Sequence, residues 1–320
     1  MTAAVILFSI GLLCLIKGGD WFVDGAVNTA RRFAVPELLV GATVVSIGTT
    51  LPEVMVSATS ALEGHGEIAY GNAVGSVICN AALIAAVTIA VRPGRVDPKT
   101  LKTPVIFFFS AAGVYAAVAY TTGNFSRRVG VLLLGVFAAY MLTTVRQIRR
   151  AASAPAEGEA AAGPSLRRDL GLLAAGAVLI AVGARLLVDN GVLIARELGV
   201  PESVIALTFI ALGTSLPELV TALTALVKGH GSLSLGNVVG ANLLNLVLVC
   251  GASMTLAPFR LPQSAVLLGR NAALVLELPV MVLVMLLLTV PALKKGRLYR
   301  GQGILMLLVY GLFCAVQFTL

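Results

Sequence analysis

Charge is what this 320-residue chain has least of. Only 12% of its residues are Asp, Glu, Lys or Arg, about half the share usual in soluble domains, while 58% are hydrophobic. That balance excludes a soluble globular protein and leaves an integral membrane protein. Acids are scarcer than bases, 15 against 23, and the formal net charge is +8. The bases sit in short gaps between apolar runs, so they read as loop charges that set topology. No nucleic-acid motif is present. The four cysteines, Cys14, Cys79, Cys250 and Cys314, stand singly in apolar segments with no CxxC pair, which leaves packing within helices as their role. HExxH is absent, which argues against an intramembrane metalloenzyme, and no resident cofactor is implied. The first apolar stretch, residues 3–16, lacks a basic leader and a small-residue cleavage site, so it reads as the start of a retained helix.

What the chain has in abundance is apolar length. With about 20 residues needed per span, helices are expected near 3–28, 38–62, 68–91, 103–121, 127–147, 169–195, 203–227, 232–257, 268–290 and 301–319. The only long polar linker, RQIRRAASAPAEGEAAAGPSLRRD, separates the fifth from the sixth. The expected organisation is a first five-helix repeat over 1–147, a cytoplasmic linker over 148–168 and a second repeat over 169–320.

The halves match each other. Pairing residue i with i+165, without a gap, aligns 35–80 with 200–245, and 18 of 46 positions are identical. They include Pro36/Pro201, Gly48/Gly213, Pro52/Pro217, Glu53/Glu218, Asn72/Asn237, Gly75/Gly240 and Asn80/Asn245, and Asp24/Asp189 fall on the same offset. Apolar helices share Leu and Val by chance, but not Gly, Pro, Glu and Asn in one register. An odd number of helices per half makes the second enter the membrane inverted, an architecture of transporters whose site lies near the midplane between repeats. With the N-terminus outside, inner loops hold 16 Lys and Arg and outer loops five, which favours extracytoplasmic termini and a cytoplasmic linker.

Few ionisable residues lie deep in the apolar runs, and Glu53 and Glu218 are the symmetric pair among them. A charge at the bilayer centre costs at least ~2.5–3.5 kcal/mol, so two at equivalent places in inverted repeats point to one shared site. Two carboxylates in a dry site repel, and a divalent cation removes that penalty. Calcium takes oxygen ligands, which Thr49, Thr50, Ser76, Thr214, Ser215, Asn80 and Asn245 supply. Pro52 and Pro217 leave carbonyls about one turn upstream without their usual partner, making the carbonyls of Ser46, Ala211, Thr49 and Thr214 candidate ligands. Gly71, Gly75, Gly236 and Gly240 would let the third and eighth helices approach closely and deliver the two asparagines. His65 and His230, in paired GHG turns, read as loop residues, with a pH-sensing gate as the functional alternative. Asp24 and Asp189, followed by Arg31 and Arg196, read as capping or pairing near helix ends. Glu63, Glu67 and Lys228 read as solvated turn charges. Lys17 and Arg185 are left between snorkelling and intramembrane pairing.

The segments GTTLPE…GNAVGSVICN and GTSLPE…GNVVGANLLN closely resemble the α-repeats of the sodium/calcium exchanger family, of the prokaryotic type with two such repeats. The resemblance implies an all-α membrane protein of ten helices in two inverted repeats, with helices two, three, seven and eight broken around a diamond of ion sites. It implies calcium bound by Glu53, Glu218 and the backbone oxygens of Thr49 and Thr214. Sodium would be held by Ser46, Thr50, Ser76 and Glu53 on the inner side, and by Ala211, Thr214, Ser215 and Glu218 on the outer. The first and sixth helices would slide over this core. Three positions depart from the pattern. Thr50 stands where the family usually has Ser, Ala241 replaces an expected Ser, and Asn245 occupies a place that is Asp in some members. With Asn80 as mate to Asn245, the cluster carries two formal charges, which argues against a potassium requirement.

The resulting expectation is a secondary active antiporter, and not an enzyme, that exchanges cytoplasmic calcium for external sodium across the cell membrane. Its partners are the two ions and the bilayer, with no obligatory protein partner and no calcium-sensing regulatory domain. Proton-coupled cation antiport is the alternative. Relatives of that kind place further acids where this chain has Asn80 and Asn245. A passive channel is a third option, disfavoured by the inverted repeat.

Overall fold

The computed structural model describes residues 2–152, 165–199, 213–263, 265–267 and 269–318. Its helices are α1 (Thr2–Arg32), α2 (Glu37–Leu62), α3 (Gly66–Val91), α4 (Pro98–Thr121), α5 (Arg127–Ala152), α6 (Leu166–Glu197), α7 (Leu216–Val227), α8 (Gly231–Leu256), α9 (Ala273–Lys295) and α10 (Arg300–Gln317). Among the described residues nine are long and apolar enough to cross a membrane, and α7 is a shorter apolar helix. The expected first half of the seventh helix, residues 203–212, lies outside the described residues, as does most of the linker. Helices run past their apolar stretches, α5 to Ala152 and α6 from Leu166, because helical hydrogen bonding continues beyond the membrane edge.

The expected irregularities take the form of π-helical segments: Gly41–Val45 in α2, Asn80–Ala85 in α3 and Asn245–Val249 in α8. A fourth, Ala273–Glu277, opens α9. A π turn widens the helix by one residue and displaces backbone groups, which is why such turns recur at functional sites. In α2 the displaced stretch is tied down by Tyr140 of α5, whose hydroxyl donates to the Ala42 carbonyl at 2.6 Å.

Two small-residue seams organise the bundle. α1 and α6 form an antiparallel pair, with Gly11, Gly18 and Gly25 facing the backbone of Gly183, Gly176 and Asp169; a Cβ on Gly11 would lie 2.8 Å from the Leu187 nitrogen. α8, the most deeply buried helix, meets α2 through Gly236 and Gly240, and a Cβ on Gly240 would sit 2.6 Å from Ala42 Cα and Ser46 Oγ. The close approach expected of these two glycines is therefore made to α2. The positions that Gly71 and Gly75 would face by symmetry, 203, 207 and 211, lie outside the described residues.

The two ends of the bundle differ in chemistry. At one end the α3–α4 and α9–α10 loops pair through Arg95 and Arg297, and Arg32 meets the buried carboxylate of Asp169 at 3.1 Å. At the other, strand β1 (Asn124–Phe125) pairs with β2 (Phe259–Arg260) over a cluster of Tyr70, Tyr115, Phe125 and Phe259. A second small ribbon, β3 (Val266–Leu267) with β4 (Arg270–Asn271), precedes α9. The basic loops gather at one end, as inverted repeats require.

Candidate functional site

The repeated motif segments of α2 and α7 meet at mid-depth, and α8 closes over them. Glu53, Thr50 and Ser46 of α2 and Glu218 of α7 are each fully buried, with Thr49, Ser76 and Ser215 nearly so. Glu53 lies one turn along α2 from Thr50, whose hydroxyl reaches Glu218, so both acids stand in one buried neighbourhood. Burying a charge is tolerated only where something of opposite sign or a donor meets it. Thr50 Oγ1 donates to Glu218 Oε1 at 3.3 Å across the repeat boundary. Among the described residues Glu218 Oε2, both Glu53 carboxyl oxygens and the Ser215 hydroxyl have no hydrogen-bond partner.

Two asparagines begin the π segments that pack against α7 and α2. Asn80 and Asn245 are fully buried, and neither side-chain atom of either has a partner among the described residues. A cluster of buried oxygens without donors is a poor hydrophobic core and a good cage for a hard cation. No His is among its described residues, and the thiol of Cys79 lines an adjoining cavity with Tyr310 and Cys314. The described contacts bring together Glu218, Thr50, Thr49, Ser46 and Asn237, with Glu53 one turn along α2 from Thr50; Ser215 precedes α7, and Asn80 and Asn245 stand in π segments that pack against α7 and α2. Ser76 and Thr214 line an adjoining cavity of about 450 Å³ with Asn72 and Glu277. Ala211, expected to offer a carbonyl, lies outside the described residues.

Two further asparagines position this shell, and sequence reasoning had paired them without a role. Asn237 of α8 accepts through Oδ1 from Thr49 Oγ1 at 3.2 Å, and the same hydroxyl lies 3.3 Å from the Ser46 carbonyl. Asn72 of α3 donates to the Glu53 carbonyl at 3.3 Å and to Ser57 Oγ at 2.8 Å. Their identity at one offset, beside the motif, was the available signal.

One charge read as solvated, Lys228, is engaged. Lys228 Nζ bridges Asp24 at 2.8 Å and Asp20 at 3.2 Å on α1. Partial burial opposes the Lys228 ammonium, yet the two aspartates hold its pKa above the ordinary lysine value. Asp24 thus pairs with Lys228 and not with Arg31, because α1 lies against the end of α7. His230 stands at the residue before α8, makes no capping bond to it, and meets Glu37 at 2.8 Å, so it is no free loop residue. Lys17 lies 5.7 Å from the Trp21 ring, and Arg185 meets Asp189 on its own helix at 3.6 Å.

Comparison with known proteins gives one consistent family. The family model described as sodium/calcium exchanger protein matches residues 3–146 and 169–319. An uncharacterized membrane protein of Methanocaldococcus jannaschii is 36% identical over 305 residues, covering 95% of this chain and 94% of that one. The sodium/calcium exchanger MaX1 of Methanosarcina acetivorans is 27% identical, covering 99% of both chains. A solved structure of the sodium-calcium exchanger NCX_Mj, soaked with sodium and strontium, superposes with a TM-score of 0.82 at 34% identity over 98% of each chain.

Proposed function

This chain belongs to the sodium/calcium exchanger family, and from that premise we propose that it exchanges calcium for sodium at the site built on Glu53 and Glu218. It is a multi-pass membrane transporter of that family, whose members are exchangers and not enzymes. The observation that carries the finer reading is the meeting of two buried carboxyl groups from equivalent places in inverted repeats, among oxygens without donors. Calcium is held by Glu53, Glu218 and the backbone oxygens of Thr49 and Thr214. Sodium takes Ser46, Thr50 and Ser76 on one side, Ala211 and Ser215 on the other, with Asn80 and Asn245 as the central polar pair.

Coupling follows from shared ligands. One calcium or a set of sodium ions neutralises the two acids, but both cargoes cannot be accommodated together. Without cargo the acids form an unpaired charged cluster, whose burial disfavours the passage between outward- and inward-open forms. The basic end faces the cytoplasm by the positive-inside rule, which places both termini outside, and the cell membrane is the site of action. Residues 1–147 and 169–320 act as the two inverted units. The test is uptake of radioactive calcium into sodium-loaded proteoliposomes. Uptake driven by the sodium gradient supports the reading, and uptake unaffected by Glu53→Gln or Glu218→Gln would sink the site assignment.

One observation favours a second reading. Adjacent carboxyl groups can share a proton as readily as a metal, which would make the chain a proton-coupled cation antiporter. Calcium uptake driven by a pH gradient with no sodium present would select it.

A further inference from the structure

The geometry points to a binding site for a phosphate-type oxyanion at the basic end, where α8 begins. It is separate from the cation cage and does not depend on which ions are exchanged. A cavity of about 220 Å³ opens there between the α3–α4 loop and the α7–α8 turn. It is lined by Arg92, Arg95, Gly231, Ser232 and Ser234, and no acid is among its described lining residues.

Three features converge on it. The first is the N-terminus of a long helix, whose first-turn amides have no acceptor within the helix and carry partial positive charge. The cap residue His230 makes no side-chain capping bond, and the first turn holds no acid; the imidazole is turned to Glu37. The second is Ser234, which is 2% exposed, lines the cavity and has a hydroxyl without a partner among the described residues. A buried hydroxyl without a partner is costly, and an oxyanion would accept its proton. The third is charge. Arg92 is anchored through one amine to the Leu226 carbonyl at 3.2 Å, leaving further guanidinium donors to present, and Arg95 sits in the same loop. Helix amides, serine hydroxyls and arginines together are the donor set that recognises phosphate.

The inverted repeat supplies an internal control. At the same offset Ser232 corresponds to Glu67, Ser234 to Ala69 and Arg92 to Ala257. At that opposite end the first turn of α3 contains its own acid, and Phe259 packs where a Cβ on Gly66 would go. Arg95 keeps an arginine, Arg260, at the matching place, but the described cavity at that end is lined by Glu67 and Glu277, whereas no acid is among the described lining residues at the basic end. A bound oxyanion would tie the α3–α4 loop, already paired with the α9–α10 loop, to the α7–α8 turn.

The ligand chemistry is shared by an anionic lipid headgroup and by free phosphate, and the test separates them. The full chain carrying Ser232→Cys is reconstituted in phosphatidylcholine nanodiscs, and modification of that cysteine by a thiol reagent is followed by peptide mass spectrometry. One arm adds inorganic phosphate; the other adds phosphatidylglycerol to the nanodisc in phosphate-free buffer. At a phosphate concentration several times its Kd, labelling slows at least about threefold, since protection scales with occupancy. Protection in the second arm alone identifies a lipid headgroup, and in the first a soluble phosphate. Ser234→Ala and, separately, the exposed Arg95→Gln should each remove most of the protection, and either suffices if the other fails to fold. Unchanged labelling in both arms, or protection that survives both substitutions, overturns the proposal.

Discussion

GTTLPE and GTSLPE differ by a single residue, yet their backbones differ. α2 runs unbroken through Pro52 from Ser46 to Leu62, whereas Thr214 and Ser215 form a turn and α7 starts at Leu216, with Pro217 in its first turn. Proline is tolerated in a first turn and costly inside a helix. Glu218 therefore sits near a helix N-terminus, where the dipole favours a carboxylate, and Glu53 sits mid-helix without that help. The supporting contacts differ in the same sense. Glu218 receives the Thr50 hydroxyl, while Ser215, the counterpart of Thr50, reaches no described partner. Asn72 has Ser57 beside it, while Asn237 has Ala222 at the matching place and its amide nitrogen is unpartnered among the described residues. Repeats that share ligands need not share the means of holding them.

The largest expected effect comes from removing either acid. Glu53→Gln and Glu218→Gln should both bring sodium-driven calcium uptake to background, and they should differ in stability. Glu53→Gln removes an unsupported buried charge, so in cation-free buffer it should raise the melting temperature. Glu218→Gln forfeits a helix-end interaction of roughly 0.3–1 kcal/mol and should raise it less. Equal shifts would remove the distinction drawn from the two backbones.

Gly240→Val tests the α2–α8 seam, where an added side chain meets Ala42 and Ser46. Overpacking of that kind costs roughly 1–3 kcal/mol, read as a lower unfolding midpoint. Ala241→Ser restores the hydroxyl that its counterpart Ser76 carries. A gain of about 1 kcal/mol per added ligand bond would lower the sodium concentration for half-maximal exchange about fivefold. The asparagine supports offer a reciprocal pair: Ser57→Ala should destabilise by ~0.5–1.5 kcal/mol, and Ala222→Ser should recover part of that by giving Asn237 a partner.

The smallest effect concerns the ends. Asp20, Asp24 and Lys228 correspond by offset to Arg185, Asp189 and Glu63, so the charges at the first and last positions are reversed while the middle acid is kept. At the basic end the bridge is made; at the other, Arg185 turns to its own helix. Lys228→Ala should cost under about 1 kcal/mol, as half-exposed pairs do. Because the folded pKa of Lys228 is raised, its contribution is fully present below the ordinary lysine pKa. It is lost only as pH rises through the higher folded value, so the wild-type minus Lys228→Ala difference should be flat from pH 6 to 9 (about the working range). Cysteines at 20 and 228 should cross-link where cysteines at 63 and 185 do not. Reversal of that order under a sodium gradient would show the two ends opening in turn.

The membrane class, the duplication and the paired acids could be read from residues alone, because composition, register and the rarity of intramembrane charge are properties of the chain itself. The π turns could not, since Asn80 and Asn245 sit in ordinary apolar patterns and a one-residue widening leaves no periodic trace. Nor could the pairing of Lys228 with Asp20 and Asp24, some two hundred residues apart, which exists because α1 lies across the end of α7. The difference between GTTLPE and GTSLPE is also tertiary. One substitution from threonine to serine does not by itself decide whether the described helix runs through the motif or starts inside it; that is set by the surroundings of each copy, which override local propensity.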